Sequence, residues 1–128
     1  MSQLISLTAL LVRDYAEAID FYTRKVGFDL REDTDMGGGK RWVIVGPAGG
    51  AGGGLLLAKS ETGRGVGEQA SGRVFLFLRT DDFDRDHGRM AEAGVRFLEK
   101  PRRETYGTVA VFEDLYGNRW DLIEPATA

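Results

Sequence analysis

The chain has 128 residues, with 17 basic and 20 acidic side chains, one histidine and no cysteine. That length suits one domain with a substantial core, and the mixed charges, net -3 with no basic stripe, exclude nucleic acid and anionic membrane as expected partners. The lack of cysteine excludes disulfides, thiol catalysis and thiolate metal sites, and fits a cytoplasmic location.

The first predicted element is a strand in "ISLTALLV" (residues 5–12). No basic region precedes it and it is too short to span a bilayer, so it reads neither as a targeting signal nor as a membrane segment. A helix follows in "DYAEAIDFYTRKVG" (14–27). Asp14 is a good N-cap, Tyr15, Ala18, Ile19 and Tyr22 recur at helical spacing, and Gly27 supplies the closing left-handed residue. Three short strands follow: "FDLREDT" (28–34), "KRWVIVG" (40–46) and "GLLLAKS" (54–60). "GGGK" (37–40) reads as the turn between the first two. "GPAGGAGGG" (46–54) resembles a phosphate loop only in its glycines, because it leads into a strand with no Gly-Lys-Ser/Thr. It is read as a hairpin connection.

After a glycine-rich joint at 60–72, the plan repeats. A strand "RVFLFLRT" (73–80) precedes a helix "DDFDRDHGRMAEAG" (81–94), with Asp81 as the expected cap and Phe83, His87, Met90 and Ala91 as its apolar stripe. Then come "VRFLEKP" (95–101), "YGTVAVFED" (106–114) and "NRWDLIE" (118–124). Asp81 follows Asp14 by the same interval as Gly94 follows Gly27. Matching strand, cap, helix and stop identify two copies of one β-α-β-β-β unit. The expected organisation is one domain over residues 1–128, with modules at about 1–59 and 72–126.

Few residues offer chemistry. His87 is the only histidine, so a multi-histidine metal site fails on the count, and its place on the apolar stripe reads as packing. Phe75 and Phe77 share one face of their strand, while Val74, Leu76 and Leu78 share the other. With both faces apolar, one is covered by helix and the other by further core or a cavity. Trp42, Phe112 and Trp120 are expected to line that cavity or to be plain core. Asp121 is the odd residue, a carboxylate among Trp120, Leu122 and Ile123, costly to bury without a partner.

"LLVRDYAEAIDFYTRKVGFDL" together with "VFEDLYGNRWDLIE" resembles the vicinal-oxygen-chelate superfamily, the group of glyoxalase I, bleomycin-resistance proteins and extradiol dioxygenases. The resemblance covers essentially the whole chain. It implies an α+β fold: two tandem β-α-β-β-β modules forming an incomplete eight-stranded barrel, helices outside, usually in a homodimer with ligand cavities. In metal-dependent members the cation is held from the first and last strands of each module. By position those ligands fall at Leu7, Leu56, Phe75 and Asp121. Leucine and phenylalanine offer no lone pair, and one carboxylate does not hold a catalytic cation.

The expectation is therefore a small-molecule binding protein without metal or other cofactor, its cavity suited to an aromatic or extended ligand. Leu7, Trp42, Leu56, Phe75, Phe77, Phe112 and Trp120 would supply apolar surface, with Arg41, Arg79, Tyr106 and Asp121 for polar groups. The alternative is an enzyme of the same superfamily using Asp121 as acid or base, with Arg79 or Tyr106 stabilising an oxyanion. A metal-dependent glyoxalase or dioxygenase with ligands elsewhere is the remaining reading.

Overall fold

The computed structural model describes residues 2–50 and 52–127. The chain divides into two compact units, Met1–Val66 and Gly67–Ala128. Each carries its own sheet, and among the described residues no strand pairs across the two. Both units are α+β, and neither sheet closes on itself.

In the first unit strand β1 (Leu7–Val12) leads to helix α1 (Tyr15–Asp20), then to β2 (Asp29–Gly37), β3 (Lys40–Gly46) and β4 (Gly54–Lys59). The sheet order is β1-β4-β3-β2, with β1 parallel to β4 and the rest antiparallel. The register puts Leu10, Leu57 and Val43 on one face with Val45 and Leu55, all buried. Tyr15 and Ala18 of α1 are buried with them, and the Tyr15 hydroxyl accepts from the Arg41 amide. The opposite face carries Leu7, Leu11, Ile44, Leu56 and Trp42, half-buried or exposed.

The second unit runs β5 (Val74–Arg79), α2 (Phe83–Glu92), β6 (Arg96–Phe97), β7 (Arg102–Glu104), β8 (Gly107–Glu113) and β9 (Arg119–Pro125). Its order is β5-β9-β8-β6, with β5 parallel to β9 and β7 also pairing with β8. Leu122, Trp120, Phe112 and Ala110 share the buried face. The His87 ring of α2 lies against it, 4.2 Å from Phe97 and 5.3 Å from Phe83 between ring centres, half-buried as a packing residue.

The strand expectation needs one correction, since the described chain holds nine strands rather than eight. "VRFLEKP" does not form one strand, because Leu98–Pro101 breaks the ladder. The break is bridged chemically: the Leu98 amide donates to Val111 O (2.8 Å), and Glu99 Oε2 accepts from the Val111 amide (3.0 Å), standing in for a backbone carbonyl.

The helices also differ in detail from expectation. Asp14 caps α1, accepting from the Glu17 amide. In α2 the cap is Asp82, accepting from the Arg85 amide, while Asp81 stands outside and pairs with the Arg85 side chain. Measured from the true caps, Asp14 to Gly27 is one residue longer than Asp82 to Gly94. The first unit absorbs that residue by continuing α1 as a π-helical turn, Phe21–Val26. Both stretches then close alike on a left-handed glycine, Gly27 (φ 95°) and Gly94 (φ 99°). The next amide returns to the helix in each: Phe28 to Tyr22 O, and Val95 to Met90 O.

Candidate functional site

The turn before β9 sets where Asp121 points. Asp114 and Asn118 are both buried. Asp114 Oδ1 accepts from the amides of Tyr116 and Asn118 and Oδ2 accepts from the Asn118 side-chain amide, each at 2.9 Å, while Gly117 takes φ 86°. A carboxylate satisfied by local donors is stable in that buried place. The closed turn fixes the β8–β9 register, with Phe112 opposite Trp120 and Val111 opposite Asp121. By alternation Trp120 then enters the core and Asp121 faces the other way.

Asp121 lies between Val111 of β8 and Phe77 of β5. Phe77 is 67% exposed, and Ile123 and Arg79 follow on the same face. Asp121 Oδ1 is buried and has no hydrogen-bond partner. Burial pushes this carboxyl above the usual range; the nearby Arg102 charge opposes that and the Glu99 charge adds to it. Arg102 is already committed, its Nε donating to Glu99 Oε1 and its Nη1 to Glu104 Oε1, both at 2.9 Å. Glu99 is in turn held below its ordinary range, chiefly by its bond to Arg102. The second sheet thus presents an apolar, half-open face with one carboxyl whose charge is poorly compensated.

The predicted residues separate on this map. Leu7 and Leu56 share the open face of the first sheet with Trp42, which is 37% exposed. Phe77, Arg79 and Asp121 share the open face of the second. Arg41 does not join Trp42. It alternates onto the helix-covered side, where its guanidinium lies 5.2 Å from the Tyr15 ring centre and pairs with Asp33. Phe112 and Trp120 are stacked core, 5.7 Å apart between ring centres, on the face turned away from Asp121. Phe75 is the extra residue of a bulge between Val74 and Leu76, so it is not a simple same-face neighbour of Phe77. Tyr106 is exposed at the β7–β8 turn beside Arg102.

The donor set does not fit a resident metal ion. Of the four positions implied by the family resemblance, only Asp121 carries a donor atom, and its desolvation favours the protonated carboxyl. No group of three or more histidine, aspartate or glutamate side chains is placed to hold a cation among the described residues. No helix among them is long and apolar enough to cross a membrane.

Residues 4–122 match the family model described as Glyoxalase/Bleomycin resistance protein/Dioxygenase superfamily. An uncharacterized protein of Shewanella frigidimarina is 56% identical over 128 residues, covering 97% of this chain and 95% of its own. The crystal structure of TnmS3, an antibiotic binding protein from Streptomyces sp. CB03234, superposes with a TM-score of 0.81 at 36% identity, covering 98% of each chain. A superfamily member from Sphaerobacter thermophilus matches with a TM-score of 0.78 at 27% identity, covering 97% of this chain and 98% of its own. The doubled β-α-β-β-β plan and these likenesses agree, and the chain belongs to the glyoxalase/bleomycin resistance protein/dioxygenase superfamily.

Proposed function

We propose that this protein binds a small molecule with a flat or extended apolar body and works without a metal ion. The observation that carries the reading is Asp121: a buried, unpartnered carboxyl oxygen next to the exposed ring of Phe77. An unsatisfied buried acceptor is a standing cost that a ligand donor removes, and an exposed aromatic ring beside it offers area for stacking. The likeness to an antibiotic binding protein supports the same reading. In it each sheet is read by itself: Leu7, Leu56 and Trp42 serve as apolar contacts on the first, while on the second Phe77 gives apolar surface and Arg79 and Asp121 take polar groups. The protein acts in the cytoplasm as a homodimer.

Titration with a panel of antibiotics and aromatic metabolites, read by tryptophan fluorescence and calorimetry, tests this. Saturable binding weakened about tenfold by Asp121→Asn is the expected result, since a hydrogen bond to a charged or buried group is of that order. Silence across a broad panel refutes it.

The raised pKa of Asp121 favours a second reading, a metal-free enzyme using this carboxyl as acid or base. It requires Asp121→Asn to abolish turnover while binding survives. Stoichiometric Zn, Ni, Fe or Mn in protein purified without chelators would instead require a metal enzyme.

A further inference from the structure

The strongest unassigned group lies in the first unit. Strand β2 carries a bulge between Leu30, paired with Val45, and Glu32, paired with Ile44, so Arg31 is its extra residue. The Arg31 side chain reaches over two glycines. A Cβ added to Gly46 would sit 2.4 Å from Arg31 Cζ, and one added to Gly54 would sit 3.0 Å from both Arg31 Nη1 and the backbone Val45 O, and 3.2 Å from Ile44 Cγ2. Neither glycine has a positive φ, so the requirement is for space rather than for an unusual backbone. Gly54 is opposite Leu7 and two residues from Leu56, which puts the guanidinium on the open apolar face, at its Leu7 end.

That guanidinium is only partly used. Nη2 donates to Pro47 O at 3.2 Å, while Nε is buried without a partner. Arg31 forms no ion pair with a carboxylate among the described residues, unlike Arg41, Arg85 and Arg102. Nε lies against the sheet at Gly46, so an arriving group meets the outer edge of this half-buried guanidinium; a cation without a carboxylate partner, seated on glycines and facing apolar side chains, suits a planar oxyanion. From Gly46 the same face of β3 runs through Ile44 to Trp42, about 13 Å at roughly 3.3 Å per residue. That span suits two or three fused rings.

We propose that Arg31 is the anion-recognition residue of this face, and that the ligand is a flat aromatic compound bearing a carboxylate or an ionised phenol. The proposal rests on the small-molecule reading above and, for the first unit's own face, adds the charge of the ligand and the residue that reads it. The apolar body lies on Leu7, Ile44, Leu56 and Trp42, and its oxyanion meets the guanidinium.

Paired titrations of the intact protein with naphthalene- and anthracene-2-carboxylate, and with their primary amides, test it. The acids should bind at least about tenfold more tightly than the amides at neutral pH, with quenching that is lost in Trp42→Phe. Arg31→Met and Gly46→Ala should each bring the acid to the level of the amide and leave the amide within about twofold. The alanine acts by displacing the flexible end of Arg31, the nearest group its Cβ meets, and keeps the charge in the chain. If the parent protein binds acid and amide alike, or both folded variants keep the preference, the assignment of Arg31 falls and small-molecule binding stands. Absence of saturable binding in both series also removes the assignment of Arg31, while the small-molecule reading then stands or falls on the broad panel described above.

Discussion

Replacing Asp121 by Asn should stabilise the protein at neutral pH. The carboxyl Oδ1 is buried without a partner, and burial raises the folded pKa above its unfolded value. A raised carboxylate pKa means the folded state binds more protons than the unfolded one, so stability is lost as pH rises from the ordinary carboxylate pKa through the folded value. Above that window the full cost is present, and below the ordinary value it is absent. Asn keeps a polar atom in the same place and removes only the charge, and only one of the two oxygens is sequestered, so the gain belongs at the low end of the range for a buried polar group, about 1 kcal/mol. For a chain of this size that corresponds to a rise in Tm of roughly 4 °C. Urea unfolding of both proteins from pH 7 to pH 3.5 measures it. The variant should lead at pH 7, and its lead should shrink towards zero on acidification. A variant less stable at pH 7, or a lead that does not change with pH, refutes the claim that this carboxylate is strained. The cost has a functional meaning only if the same substitution weakens ligand binding, because a site group is retained against stability when activity needs it.

Three further outcomes follow from local chemistry. Asp82→Ala should lose about 1 kcal/mol as a missing helix cap, whereas Asp81→Ala, removing only an exposed ion pair, should change stability by less than about 0.5 kcal/mol; the reverse order in thermal melts would place the cap at Asp81. Asp114→Ala should cost about 3 kcal/mol in urea, since two backbone amides and the Asn118 side chain lose their acceptor in a buried turn, and Asp114→Asn should recover part of it. A midpoint unchanged by the alanine would show that the turn is held by its backbone alone. Glu99→Gln should be tolerated better than Glu99→Ala, because the amide oxygen can still accept from Val111 across the strand break; equal losses in the two would mean that only the ion pair with Arg102 matters.

Most of the fold was legible because its signals are local and repeated. Caps, closing glycines and short apolar runs each have a backbone reason, and seeing them twice identified the module before any contact was known. What misled was also local. Asp81 and Asp82 are chemically equal as candidate caps, and choosing the first gave two intervals of equal length that are in fact unequal. The difference is taken up by a π turn, which no apolar period announces, since Tyr22 and Val26 are buried as they would be in an α-helix. "VRFLEKP" looked like one strand because nothing in its composition says that Glu99 will act as a ladder acceptor, although Pro101 marks where the pairing cannot continue without a change.

The site was legible only where alternation held. Asp121 could be placed from its neighbours, since Trp120 and Leu122 claim the core and leave it the other face. Arg41 is expected to serve the polar end of the same ligand as Trp42, but as strand neighbours the two face opposite sides. Phe75 was grouped with Phe77 by a period of two that the bulge interrupts. Arg31 was missed for the same reason as Phe75: it is the extra residue of a bulge, and its direction follows no period. Yet the sequence does hold a trace of it, in Gly46 and Gly54 at the two ends of the glycine-rich 46–54 loop. Their work is to leave room above a sheet. At Gly46 the neighbour that uses that room is the Arg31 guanidinium, and at Gly54 it shares the room with the Val45 carbonyl, so on the proposal above the glycines serve an anion through a side chain rather than through their own amides.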